Sequence, residues 1–200
     1  MFLWETFKRS FQHMTGHARP SVPAAKAAVR AGEPQHYRFA DDGSIPNNPD
    51  LPFVVYGGAV VLDGPYDPAA VFEELFAANG WGNSWRNGVY PFAHYHSAIH
   101  EVLGIARGHA RVRFGGALGA ELPLKAGDVA ILPAGTGHQR LDASPDFLVV
   151  GAYPPHGKYD LCRGAPEEHA RAKLSIPKVP LPDRDPVFGS DGALLKLWRG

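Results

Sequence analysis

Short apolar runs of four to eight residues, separated by glycine turns, fill the middle of this 200-residue chain and restrict it to a fold of short strands. The runs are Val89–His96, Val102–Ile105, Ala110–Phe114, Val129–Leu132, His138–Leu141 and Phe147–Ala152. Strands of this length at even spacing predict a sandwich or barrel. Glycine (23) and proline (19) make up about a fifth of the residues, which agrees with a turn-rich fold and not with a helical bundle. With 44% apolar residues, the chain has enough core-forming side chains to exclude overall disorder. At this length about 70% of the unfolded surface can be buried in one core.

The flanks read differently. Residues 1–33 form an N-terminal extension and linker. Phe2 to Met14 carries an apolar stripe at helical spacing (Leu3 or Trp4, then Phe7, Phe11 and Met14), with Lys8, Arg9 and His13 beside it. No continuous apolar stretch follows these charges, so the start is not a secretory signal. It suits a transit-like or surface helix, or a terminal helix docked on its own domain or a partner subunit. A short alanine-rich helix is expected at Ala24–Arg30. Phe53–Tyr56 and Ala59–Leu62 are further β-like runs. Asp67-Pro68 opens a helix with an acidic cap and proline at its first position, and Asn79-Gly80 closes it. The barrel with this helix is expected over residues 34–153. Residues 154–200 form a wrapping arm with a helix near Pro166–Lys173, an extended stretch to Pro186 and an apolar end at Leu194–Trp198.

Twenty basic and twenty acidic residues leave no net charge, so neither nucleic acid nor an anionic membrane is an expected partner. No apolar run approaches the ~18 residues of a membrane span. One cysteine excludes a disulfide framework and any site built from several thiolates, and cytoplasmic residence is the expectation.

Ten histidines are the unusual count. His94 and His96 are two apart in a β-like run, so their rings share a face. Glu101 lies beyond a bend and begins the next strand. Antiparallel pairing of those strands would return its carboxylate to the same point. His138 follows a turn after Val129–Leu132. Three neutral imidazoles and a carboxylate make a mixed nitrogen–oxygen site for a first-row divalent metal, with positions left open.

These residues resemble the cupin superfamily. Its first motif is matched by Gly88, His94, His96, Glu101 and Gly108, with every gap as the family has it. Its second is matched by Gly127, Pro133, Gly135 and His138, and Asp142 stands where the family has asparagine. More narrowly, Ile45-Pro46-Asn47-Asn48-Pro49, Asn79 to Arg86 and Tyr153-Pro154-Pro155 resemble a YjlB-like group of small bacterial cupins. The resemblance covers about residues 53–153. It implies an all-β double-stranded β-helix, a jelly-roll barrel with a few short peripheral helices. It also implies one metal ion (Fe, Mn, Ni or Zn) on His94, His96, Glu101 and His138, and a homodimer.

Around these ligands, alternation puts Tyr90 and Phe92 on the face of His94, as pocket lining or as core. Arg140 and Asp142 share the face of His138. Arg140 would suit an anionic substrate, or would pair with Asp142 at the rim. Leu103, Ile105, Val112 and Phe114 form a dry wall, which turns Arg111 and Arg113 outward. His100 should face away from Glu101 as a surface or interface residue, unless a bulge brings it behind the ligands. Trp85 and Arg86, in a loop rich in glycine and asparagine, are candidates to contact substrate; packing of the preceding helix is the other role for Trp81 and Trp85. The expectation is a metal-dependent enzyme on a small organic molecule, of dioxygenase or Lewis-acid isomerase or lyase type. The alternative is a non-enzymatic binder or sensor.

Overall fold

The computed structural model describes residues 18–200, so the amphipathic stretch at Phe2–Met14 lies outside the described residues. Among the described residues nine strands form two antiparallel sheets. In chain order they are β1 (Gln35–Tyr37), β2 (Phe53–Tyr56), β3 (Gly82–Asn87), β4 (Glu101–Arg107), β5 (His109–Phe114), β6 (Ala120–Lys125), β7 (Val129–Leu132), β8 (His138–Ala143) and β9 (Leu148–Tyr153). The larger sheet runs β1-β2-β7-β4-β9-β3, and the smaller runs β6-β5-β8. The fold is the double-stranded β-helix that the two motifs imply. Four helices surround it: α1 (Val22–Ala27), α2 (Pro68–Ala78), α3 (Pro166–Ser175) and α4 (Ala193–Arg199).

Both faces of the larger sheet are covered, which is why its central strands read as continuous apolar runs. The inner face, with Phe53, Leu103, Ile105, Ala130 and Val149, packs on Ala110, Val112, Phe114 and Leu124 of the smaller sheet. The outer face, with Val54, Val102, Ile131, Val150 and Ala152, packs under Phe72, Leu75 and Phe76 of α2 and Leu194 and Trp198 of α4. Helix α2 starts where the capping signal puts it, with the Asp67 carboxylate accepting from Ala69 N–H. It lies directly on β4, because Gly104 has no Cβ. A methyl there would stand 2.5 Å from the Phe72 ring.

Helix α1 begins at Val22, two residues before the expected start, because Ser21 caps it. Ala59–Leu62 forms one bridge, Val29 with Val60, and no strand. Strand β6 escaped the pattern because Pro123 interrupts it. A proline is tolerated there because β6 is the edge of the smaller sheet, pairing with β5 alone. The run Val89–His96 is not a strand. Pro91 supplies no N–H, and single bridges hold the segment, His94 to His138 and Tyr95 to Cys162. The expected loop at residues 82–87 is instead edge strand β3, paired with β9.

Asp185 joins the C-terminal segment to the sheet. It is fully buried and accepts from the Tyr56 hydroxyl and from the backbone N–H groups of Val187, Phe188 and Leu194. Trp198 then donates its indole N–H to the Pro52 carbonyl at 2.9 Å. Among the described residues no helix is long and apolar enough to cross a membrane.

Two predictions follow from this packing. Gly104→Val forces the Phe72 ring off the sheet and costs about 1–3 kcal/mol; thermal unfolding by circular dichroism should show a lower Tm, and an unchanged Tm would show that α2 is not seated on β4. Asp185→Asn weakens charge-assisted hydrogen bonds and costs on the order of 2 kcal/mol in urea unfolding. Equal stability of the two proteins would remove Asp185 as the anchor of the arm.

Candidate metal centre

The site is built where the bridged segment, β4, the turn before β8 and the C-terminal segment meet. His94 lies against His138 by two backbone hydrogen bonds of 3.2 and 2.9 Å, which set their rings side by side with centroids 3.9 Å apart. Gly135 shapes the turn that delivers His138. Its φ is +94°, and its N–H donates to the His96 carbonyl at 2.7 Å. Glu101 opens β4, opposite Leu132 of β7. The carboxylate therefore reaches the histidines from a different strand pair than expected. The imidazole segment pairs with β8, and β4 pairs with β7 and β9.

One ring nitrogen from each of His94, His96 and His138 lies within 4.8 Å of the other two. All three residues are buried. Each Nδ1 faces a backbone carbonyl: that of Phe92 for His94 (3.1 Å), of Thr136 for His138 (3.2 Å) and of Asp160 for His96. A carbonyl can only accept, so each Nδ1 carries hydrogen and each neutral ring keeps its lone pair on Nε2. Glu101 Oε2 faces two of those atoms, His96 Nε2 at 3.4 Å and His138 Nε2 at 3.5 Å. That oxygen is buried and has no hydrogen-bond partner.

Burial holds His94 and His138 below the ordinary imidazole value, His138 well below, and the neighbouring rings add to this. Burial works against a charge on His96 too, but the Glu101 carboxylate beside it outweighs that and raises it. Acceptor lone pairs that converge on one point in a dry site need a cation between them. The donor set therefore fits a divalent first-row ion, and among the described residues no thiolate joins it.

Two residues not singled out from the sequence complete the surroundings. Trp85 donates its indole N–H to the Tyr153 hydroxyl at 2.8 Å, and Tyr153 stands beside Glu101 in the same cavity wall. Burial and then the Glu101 charge push the Tyr153 phenol well above its ordinary value, so it keeps its proton next to the carboxylate. Counting by twos along β9 from Val149 of the inner core would have placed Gly151 and Tyr153 inward. Asp160 is the other. Its carbonyl orients His96, while its carboxylate accepts from Ser97 and Ala98 N–H and from the Ser97 hydroxyl. No local pattern reveals it, since it lies in an irregular segment far along the chain. Cys162 is buried beside the same carboxylate, and burial pushes its thiol up to about 12.

A cavity of ≈ 370 Å³ opens on this centre, lined by His96, Glu101, Tyr153, Tyr159, Tyr90, Trp85 and Arg86 among others. Trp85, Tyr90 and Arg86 thus stand at its wall. Arg86 gives its N–H groups to Asp67 and Glu73 at 2.6–2.9 Å. Phe92 supports Tyr90 from behind, with rings 4.9 Å apart, and lies under Arg163. The Arg140 guanidinium lies beside Gly88 at the edge of the cavity.

Two expectations are corrected, and the two roles open to the tryptophans are divided between them. Asp142 is not behind the ligands and does not pair with Arg140. It is exposed and bonded to Arg111 on the outer surface of the smaller sheet. His100 does face away from Glu101, but that face is covered and not at the surface. It is fully buried, accepts from Ala134 N–H and packs on Trp198 with centroids 4.8 Å apart. Burial pushes it down to about 4. Trp81 packs helix α2, with its indole N–H on the Arg184 carbonyl, whereas Trp85 turns to the cavity.

No protein-family model matches the chain. Among solved structures it is similar to a double-stranded β-helix protein from Klebsiella pneumoniae (18% identity, 74% of this chain and 95% of that one, TM-score 0.33). Acireductone dioxygenase from Bacillus anthracis, with cadmium in its active centre, is similar over 44% of this chain and 62% of its own (20% identity, TM-score 0.32). Oxalate decarboxylase of Bacillus subtilis, which holds Mn(II) centres, is similar over 74% of this chain and 34% of its own (15% identity, TM-score 0.33). In sequence, YjlB of Bacillus subtilis strain 168 is 45% identical over 166 residues, 83% of this chain and 97% of that protein. An identity of that extent, over a chain that keeps both metal-site motifs on a double-stranded β-helix, makes this protein a member of the YjlB family of cupins.

Proposed function

We propose that the chain is a metal-dependent enzyme acting on a small organic molecule, with one divalent first-row ion held by His94, His96, Glu101 and His138. The observation that carries this reading is the buried Glu101 oxygen without a partner, facing imidazoles locked with their lone pairs inward, at the floor of an open cavity. Such an ion, when bound, supplies Lewis acidity and, if redox-active, one-electron chemistry. The reactions that fit are dioxygenation, or isomerisation and lyase chemistry on a chelating substrate.

The chain's own residues set the conditions. The Phe92, Thr136 and Asp160 carbonyls fix the tautomer of each histidine before anything binds. The protonated Tyr153 hydroxyl, held by Trp85, stands beside Glu101 and supports its carboxylate, while Oε2 is left for the centre. Leu103, Ile105, Val112 and Phe114 keep water from that flank and strengthen every charge interaction there.

The first test is elemental analysis of the chain purified without chelator. About one equivalent of metal is expected, none in His94→Ala/His138→Ala, and a metal-dependent gain of about 3 kcal/mol in stability at a hundredfold excess over Kd. No metal in either protein after reconstitution with iron, manganese, nickel and zinc would overturn the reading. Ligand-dependent stabilisation with no turnover by any loaded form would instead make the chain a binder. Tyr153→Phe tests the support of Glu101. It should weaken metal affinity about 10-fold or more by competition with a chromophoric chelator. Unchanged affinity would show that Glu101 needs no such brace.

A further inference from the structure

The cavity that opens on the metal centre has walls of rings and an unusual balance of charge. Trp85, Tyr90, Tyr153 and Tyr159 surround the space above His96 and Glu101. Each of these rings has an aromatic or hydrogen-bonded neighbour, and Trp85 and Tyr153 are the more buried. Trp85 lies flat over Gly151, where a methyl would come within 2.1 Å of the indole, and its N–H is fixed on Tyr153. Tyr90 is stacked on Phe92 with an interplanar angle of 14°. Tyr159 meets Tyr153 edge-on at 5.7 Å and lies against His96 at 4.8 Å. Part of the cost of ordering these side chains is therefore met before a ligand arrives.

Charge selects less than the rings do. Among the described residues Arg86 is the one cation in the lining, its guanidinium is taken up by Asp67 and Glu73, and Arg140 stands at the edge. An anionic ligand would rely on the metal and on Arg140 at the edge, and a cationic one would meet the charge of the metal. An apolar cavity of about 150 Å³ accepts one benzene ring, so ≈ 370 Å³ has ample room for a substituted ring.

Resting on the metal-centre reading, we infer that the site takes a ring-bearing molecule. Its ring stacks among Trp85, Tyr90 and Tyr159, and its oxygen-bearing edge turns toward His96 and Glu101. Aromatic stacking, more than an ion pair with a side chain, selects the substrate.

The test uses the full chain loaded with zinc, so that no oxidation accompanies binding, and isothermal titration with three probes. Catechol has a neutral ring and two adjacent oxygens, oxalate chelates but is charged and ringless, and choline is a cation. Saturable catechol binding at least tenfold tighter than that of oxalate or choline is expected. Trp85→Leu and Tyr159→Leu should each weaken it about tenfold while zinc content stays at one equivalent. Tyr159 is 48% exposed, so its replacement leaves the fold intact. Tighter binding of oxalate, especially if lost in Arg140→Gln, or of choline, overturns the inference. So does catechol affinity that neither leucine variant changes. If the chain takes no zinc, the metal reading has failed and phenol, which cannot chelate, decides the stacking: saturable binding lost in Trp85→Leu supports it, and no binding overturns it.

Discussion

A carboxylate oxygen of Glu101 faces His96 and His138 at 3.4 and 3.5 Å, with almost no exposed surface to soften the contact. Left alone, this neighbourhood would be among the most costly in the molecule, because buried acceptors that face one another gain nothing from water. Much of the architecture serves to hold it in place. Three backbone carbonyls turn the histidines, Tyr153 stands beside the carboxylate, and a dry wall from both sheets closes one side. The interaction is unfavourable by itself and becomes sensible only as a receptacle for positive charge.

Holding four polar groups in a dry place requires a stiff frame, and the larger sheet provides one by being buried on both faces. Glycines set how closely its layers approach. Gly104 lets Phe72 of α2 rest on the strand that starts with Glu101, and Gly151 lets Trp85 lie on the strand that ends with Tyr153. Each is a missing Cβ opposite an aromatic ring. Helix, sheet and cavity wall are thus in register through contacts that a single methyl group would break.

Most of the candidate ligand set was legible because it depends on short-range spacing. His94 and His96 share a side by their separation, the turn before His138 is spelled in glycine and proline, and Glu101 heads an apolar strand. The parts that were not legible depend on distant partners. The segment carrying His94 and His96 looks like a strand but is pinned by single bridges, because Pro91 breaks its ladder and β8 and the C-terminal segment compete for it. His100 alternates as expected, yet its face is covered by Trp198, nearly a hundred residues away. Asp142 follows the sheet outward to Arg111, a pairing set by the register of β5 with β8. Residue spacing reveals direction along an element; it does not reveal what comes to cover that element from elsewhere in the chain.

The carbonyl that orients His96 belongs to Asp160, and the bridge that pins Tyr95 belongs to Cys162. Both lie beyond the last strand of the sheets. The strands of the two sheets therefore do not by themselves orient this imidazole, which takes its direction from a segment outside them. A change that loosens residues 160–162 would loosen the centre without touching a single ladder of the sheets.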